Sequence, residues 1–69
     1  MGRYYAQLLW ADGDVVHHEV AFYATGTVDD FMASQAAIQF CERQLAHPDC
    51  EVDRARVIDG DGDLVWQNF

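Results

Sequence analysis

Residues 27–46, TVDDFMASQAAIQFCERQLA, decide the fold. On a wheel of 3.6 residues per turn, Phe31, Ser34, Ala37, Ile38, Cys41 and Leu45 share one face. Gln35, Gln39, Glu42 and Arg43 take the far side. Thr27-Val28-Asp29-Asp30 resembles a capping box with Asp in place of Glu, so Thr27 is predicted to open the helix. Its acids also suit the positive end of the helix dipole. Pro48 cannot continue a helix, which is predicted to stop near Ala46.

Working outward, the apolar period falls from 3.6 to 2. Tyr4, Ala6, Leu8 and Trp10 alternate with Arg3, Tyr5, Gln7 and Leu9. Val16, His18, Val20, Phe22 and Ala24 alternate with Val15, His17, Glu19, Ala21 and Tyr23. Both stretches read as β-strands. A two-residue turn at Asp12-Gly13 pairs Trp10 with Val15 and sets the apolar faces on opposite sides. A three-residue loop, Ala11-Asp12-Gly13, keeps the even residues of both strands together, with Gly13 left-handed in a bulged turn. The longer loop is therefore predicted.

Beyond the helix, Val52–Ile58 and Leu64–Phe69 flank Asp59-Gly60-Asp61-Gly62-Asp63, a strong turn signal. A two-residue turn at Asp61-Gly62 gathers Ala55, Val57, Leu64 and Trp66 on one face and is preferred. A three-residue turn pairs Ile58 with Leu64 instead. The prediction is one α+β domain over residues 1–69, in the order β-β-α-β-β. Its helix lies on one face of a four-stranded antiparallel sheet. The even face of the first hairpin is expected to meet Phe31, Ile38, Cys41 and Leu45.

The other sheet face has no second layer, which leaves Tyr5, Leu9 and Tyr23 uncovered. Met32, Ala36 and Phe40 form a further helical stripe. Contiguous exposed apolar groups mark interfaces. A core this small supplies roughly 3–5 kcal/mol unaided. Tyr5, Leu9, Tyr23, Met32 and Phe40 are thus the expected apolar contacts to a partner or to a second copy in a homodimer.

Charge narrows the function. Twelve Asp and Glu face four Arg and no Lys, a net charge of −8 on 69 residues. That balance disfavours direct binding of nucleic acid and favours a basic protein surface as partner. Apolar residues make up 51% and aromatics 13%, too many for an acidic disordered tail. No run reaches the length of a membrane span, and MGRYYAQLLW lacks the apolar core of a signal peptide, so a cytoplasmic protein is expected. In that compartment Cys41 and Cys50 are most simply reduced thiols, although the turn between them would permit a bridge.

The acids recur at spacings of two: Asp12/Asp14, Asp49/Glu51/Asp53 and Asp59/Asp61/Asp63. In extended chain this sets carboxylates roughly 6.5 Å apart, comparable to successive backbone phosphates. If the helix runs the length of the sheet, Asp29, Asp30, Asp59, Asp61 and Asp63 gather at one pole. Asp12, Asp14, Asp49 and Glu51 gather at the other. These nine are the expected acidic contacts, although Asp is also common in turns and caps for local reasons.

Catalytic and metal signatures are not found. The Asp59–Asp63 run lacks the sixth-position Gly and twelfth-position Glu of an EF-hand loop. Cys41-x5-His47-x2-Cys50 matches no paired zinc-ligand spacing, and Cys41 falls on the apolar helix face. His18 reads as a core or edge histidine and His17 as solvated. Ser34 lies mid-helix; Cys41 could meet His47, but nothing arranges a third member or an oxyanion hole. No cofactor, metal or catalysis is expected.

The segments GRYYAQL and RVIDGDGDLV, with the helix between them, resemble a small bacterial domain family of unknown function built on the same two hairpins. In size, acidity and lack of catalytic residues the chain is similar to phage-encoded anti-CRISPR proteins. That likeness implies a decoy occupying the nucleic-acid-binding surface of an effector complex, and it assigns no individual residue a role. The expected function is a small acidic, non-enzymatic binding or inhibitory protein. The alternative is a bacterial interaction module that binds through exposed aromatics.

Overall fold

A computed structural model describes residues 2–11 and 15–69. The elements follow the predicted order: β1 Arg3–Leu9, β2 Val16–Tyr23, α1 Asp30–Ala46, β3 Arg54–Asp59 and β4 Leu64–Gln67. The four strands form one antiparallel sheet in the order β2-β1-β3-β4. The two hairpins therefore join through their first strands, and β2 and β4 are the edges.

Each hairpin carries a bulge. In the first, Leu8 pairs with His18 and Ala6 with Val20, even with even as expected. Next to the turn, Leu9 pairs with Val16, and Trp10 N–H donates to the Val15 carbonyl at 3.0 Å. His17 is the extra residue. The pairing beside the turn is the one a two-residue loop would set, and the bulge restores the parity. Asp12, Gly13 and Asp14, with the expected loop conformation, lie outside the described residues.

The second hairpin departs from the preferred turn. Asp59 N–H donates to Asp63 O at 2.9 Å, so the loop is Gly60-Asp61-Gly62, with Gly62 left-handed at φ +86°. Ile58 then pairs with Leu64, which is removed from the face of Val57. A bulge at Val65 brings Trp66 opposite Val57 again. β3 begins at Arg54 rather than Val52, and β4 ends at Gln67 rather than Phe69. Past that point Asn68 continues the pairing by side chain, accepting from Ala55 N–H at 2.9 Å and donating to Asp53 O at 3.0 Å.

The helix is capped by Asp29, not Thr27: Met32 N–H donates to Asp29 Oδ1 at 2.8 Å. The threonine stretch makes a loop of its own. Thr25 Oγ1 accepts from Thr27 and Val28 N–H, and Thr25 N–H donates to the Val28 carbonyl.

The core lies between α1 and β1–β3. Ala6, Leu8, Ala37, Cys41, Val52, Ala55 and Val57 form it, with Tyr4, Ile38, Leu45 and Trp66 packed around. Alanines on both layers let the helix approach the sheet closely. Two helix expectations fail. Phe31 is 71% exposed rather than a core contact. Phe40 is half-buried against the core, its ring 5.8 Å from Phe22 and 6.5 Å from His18. It is therefore not part of a free apolar stripe.

The helix-free face is also not what alternation suggests. Of the three residues expected there, Leu9 is 0% exposed, Tyr5 half-buried and Tyr23 exposed, while Val16, paired with Leu9, and Leu64, paired with Ile58, add exposed apolar groups to the same face. Across the middle runs a polar ladder. Gln7 Nε2 donates to Glu19 Oε2 at 2.6 Å, and Arg56 Nε donates to Gln7 Oε1 at 2.7 Å.

Candidate functional site: two charged poles

At one end of the sheet a cavity of about 310 Å³ is bordered by Tyr4, Asp30, Asp59 and Asp61. Asp30 comes from the first turn of α1, Asp59 from the end of β3 and Asp61 from the β3–β4 loop. Arg3 is the one basic residue on the rim among those described. Gly2 also lines it, and a Cβ at that position would run into Asp30 Oδ1 and the Ala24 Cβ. The pole expected from topology thus forms around Asp30, Asp59 and Asp61, while Asp29 is occupied with the helix cap.

The loop carboxylates are not strung out as in extended chain. Asp59, Asp61 and Asp63 each offer an oxygen within 4.8 Å of the others, because the turn folds them together. Asp59 Oδ1 accepts from both Asp61 N–H and Asp63 N–H, at 2.9 and 3.0 Å. This replaces the expected phosphate-like ladder, with its spacing of roughly 6.5 Å, by a compact tip. The three oxygens lie close enough to touch one hard cation. An exposed acidic turn whose first carboxylate already serves the backbone does not by itself define a metal site.

Tyr4 was not expected here. Its even parity places it on the helix face, at the end where α1 begins, and it borders the cavity beside Asp30. Partial desolvation, then the Asp30 and Asp59 carboxylates, hold its pKa above the usual 10.0.

At the opposite end a second cavity, of about 380 Å³, contains the expected acids Asp49 and Glu51. With them stand His17, His18, His47 and Cys50. Asp12 and Asp14, expected here too, lie outside the described residues. His47 Nδ1 accepts from Asp49 N–H at 3.1 Å and lies 3.9 Å from Asp49 Oδ2. His17 is edge-on to Trp10, with ring centroids 4.4 Å apart. Alternation assigns His17 and His18 to opposite faces, so only the bulge explains why both border one cavity.

The candidate nucleophiles face the backbone. Ser34 Oγ donates to Phe31 O at 2.8 Å, and the buried Cys41 thiol points at Arg56 O, 3.9 Å away. Burial, and secondarily Glu42, push the Cys41 pKa to about 11, far from a thiolate at neutral pH. Cys50 Sγ donates to Val52 O at 3.1 Å, and both cysteines are free thiols.

Of the apolar contacts expected, Tyr23 (57%) and Met32 (50%) are exposed, whereas Leu9 is buried and Tyr5 and Phe40 are half-buried. Phe31, assigned to the core by its helical spacing, joins Met32 at the surface directly after Asp29 and Asp30. Among the described residues no helix is long and apolar enough to cross a membrane. The chain shows no significant match to any family model, any curated protein or any solved structure.

Proposed function

We propose that the chain is a small acidic binding protein, without catalysis of its own, that occupies a basic nucleic-acid-binding surface of a protein partner. Inhibition of the anti-CRISPR type is one form this would take. The observation that carries the reading is the pole where Asp30, Asp59 and Asp61 surround one cavity with Arg3 as its only base among the described residues. Opposite charge focused in this way speeds association and excludes partners of like charge. Phe31 and Met32, exposed beside Asp29 and Asp30, supply an apolar anchor next to the charge. A heterologous partner fits better than a second copy. A net charge of −8 repels its own kind, and the sheet face thought to need cover already carries the Glu19–Gln7–Arg56 ladder.

The test is capture of nucleic-acid-binding proteins from a lysate at low and high salt. The combined variant Asp59→Lys, Asp61→Lys, Asp63→Lys should lose salt-sensitive capture while keeping its circular dichroism. Unchanged capture by that variant would end the acidic reading. The exposed Phe31 and Met32 favour the second reading, a module that binds through apolar contacts. Under it, capture would survive high salt and the charge reversal, and would be lost with Phe31→Ala and Met32→Ala.

A further inference from the structure

We infer that the pole opposite the acidic tip is a binding site for a divalent transition-metal ion, Zn²⁺ being the ion whose preferences fit best. Every histidine of the chain borders its cavity, although His47 is 29 positions from His18, and Cys50 completes the set. Imidazole and thiolate are the donors zinc prefers, at about 2.0–2.1 Å for nitrogen and 2.3 Å for sulfur. The sequence conceals the set, because its contiguous part, Cys41-x5-His47-x2-Cys50, has the wrong spacing. Cys41 does not belong: its thiol is buried against Arg56 O. The two histidines of β2 replace it, with His17 the unpaired residue of the bulge.

All three histidines are exposed, and holding one ion requires their rings to turn toward it. As placed, the only three-donor group within 4.8 Å among the described residues is the acidic turn at the other end. His47 must change tautomer on binding, because its Nδ1 accepts from Asp49 N–H at 3.1 Å. Binding through Nε2 puts the imidazole proton on Nδ1, which must then donate. Asp49 Oδ2, 3.9 Å away, is the acceptor that stands there. The Cys50 proton leaves Val52 O and passes to solvent as the thiolate binds the metal, so uptake releases one proton per ion.

Zn²⁺ titrated into the chelator-treated protein, followed by calorimetry in two buffers of different ionisation enthalpy, tests this. One ion per chain with proton release is expected, and zinc-dependent shifts of the ¹⁵N resonances of His18 and His47. His18→Gln and His47→Gln should each weaken binding severely, and Asp49→Asn by about tenfold, as loss of an outer-shell partner does. The combined Asp59→Asn, Asp61→Asn, Asp63→Asn variant should bind as before, which separates this site from the acidic pole. Non-saturating uptake, several weak ions per chain, or binding that survives both histidine variants would overturn the site. So would binding lost with the acidic-turn variant alone.

Discussion

Gln7 and Arg56, 49 residues apart in the chain, meet side chain to side chain at 2.7 Å in the centre of the sheet. Gln7 is itself buried and passes the contact on to Glu19 at 2.6 Å. One amide thus joins β2, β1 and β3 on the face that no helix covers. Its oxygen accepts from the guanidinium and its nitrogen donates to the carboxylate, so each half of the amide meets the charge it suits. This sets paired polar groups across the middle of the face that no helix covers.

Removing the amide tests that account. Gln7→Ala is expected to cost about 1–3 kcal/mol, because two charge-assisted bonds are lost in a buried position. The loss should be read from urea unfolding. Gln7→Leu, which restores apolar volume without the bonds, separates packing from hydrogen bonding. Stability equal to the native protein in both variants would show that the ladder contributes nothing.

Leu9 gives a second test. It is fully buried, whereas Ile38, the expected centre of the helix face, is half-buried. Leu9→Ala should therefore cost about 2.7–5 kcal/mol, comparable to the whole stability of a domain this size. Ile38→Ala should cost less. The reverse order in thermal unfolding would return the core to the helix face alone.

The cap is equally open to experiment. Asp29→Ala should lose about 0.5–2 kcal/mol, because Met32 N–H loses its acceptor. Thr27→Ala should change little, since the Thr27 hydroxyl makes only a 3.4 Å contact with Thr25 Oγ1. Equal losses would restore the capping box at Thr27.

These cases mark what was legible in the sequence. Alternation of period 2 reports parity, so Ala6, Leu8, Ala55 and Val57 could be placed on the core face without knowing the turns. Register is a different quantity. Near the first turn the pairing is odd with even, and near the second Ile58 meets Leu64; a bulge then repairs each mismatch. A bulge leaves no compositional mark, so His17 and Val65 could not be singled out. The fold survived this ambiguity because parity was right. At the second pole the acids were legible but the place of His17 was not, because the bulge that brings it to the same cavity as His18 is invisible to alternation. The acidic pole was legible because it depended on element order alone. Cap choice failed for a local reason: the Thr25 hydroxyl takes the amides that would have ordered Thr27 as a cap.

Turn chemistry yields a further prediction. Gly62 sits at φ +86°, where an L side chain is strained even in open space. Gly62→Ala should destabilise by about 1 kcal/mol. Gly26 has an ordinary φ, and a methyl group at its Cβ position would meet no atom within 4 Å. Gly26→Ala should therefore be neutral or stabilise by about 0.4–1 kcal/mol. Opposite signs at the two glycines in denaturant melts are the expected outcome. Equal effects would contradict the three-residue loop.

Alkali should unfold the protein through Cys41. Its thiol is buried and its pKa stands at about 11, against 9.0 for a free thiol, so the folded state resists ionisation more than the unfolded one does. For a raised pKa the stabilising difference is complete below the unfolded value and disappears as pH rises through the folded one. Stability should accordingly be constant to about pH 9 and fall from there toward pH 11. Tyr4, also raised above 10.0, adds to the fall at its upper end, so the comparison is best made in a Tyr4→Phe background. There, Cys41→Ala should flatten the pH dependence, even if it lowers stability overall by emptying part of the core. Alkylation supplies the independent readout: below about pH 9 the half-buried Cys50 should react with iodoacetamide first, and Cys41 only as fast as the protein opens. A Cys41 that alkylates as readily as Cys50 in the folded protein would show that its thiol is not held in the core.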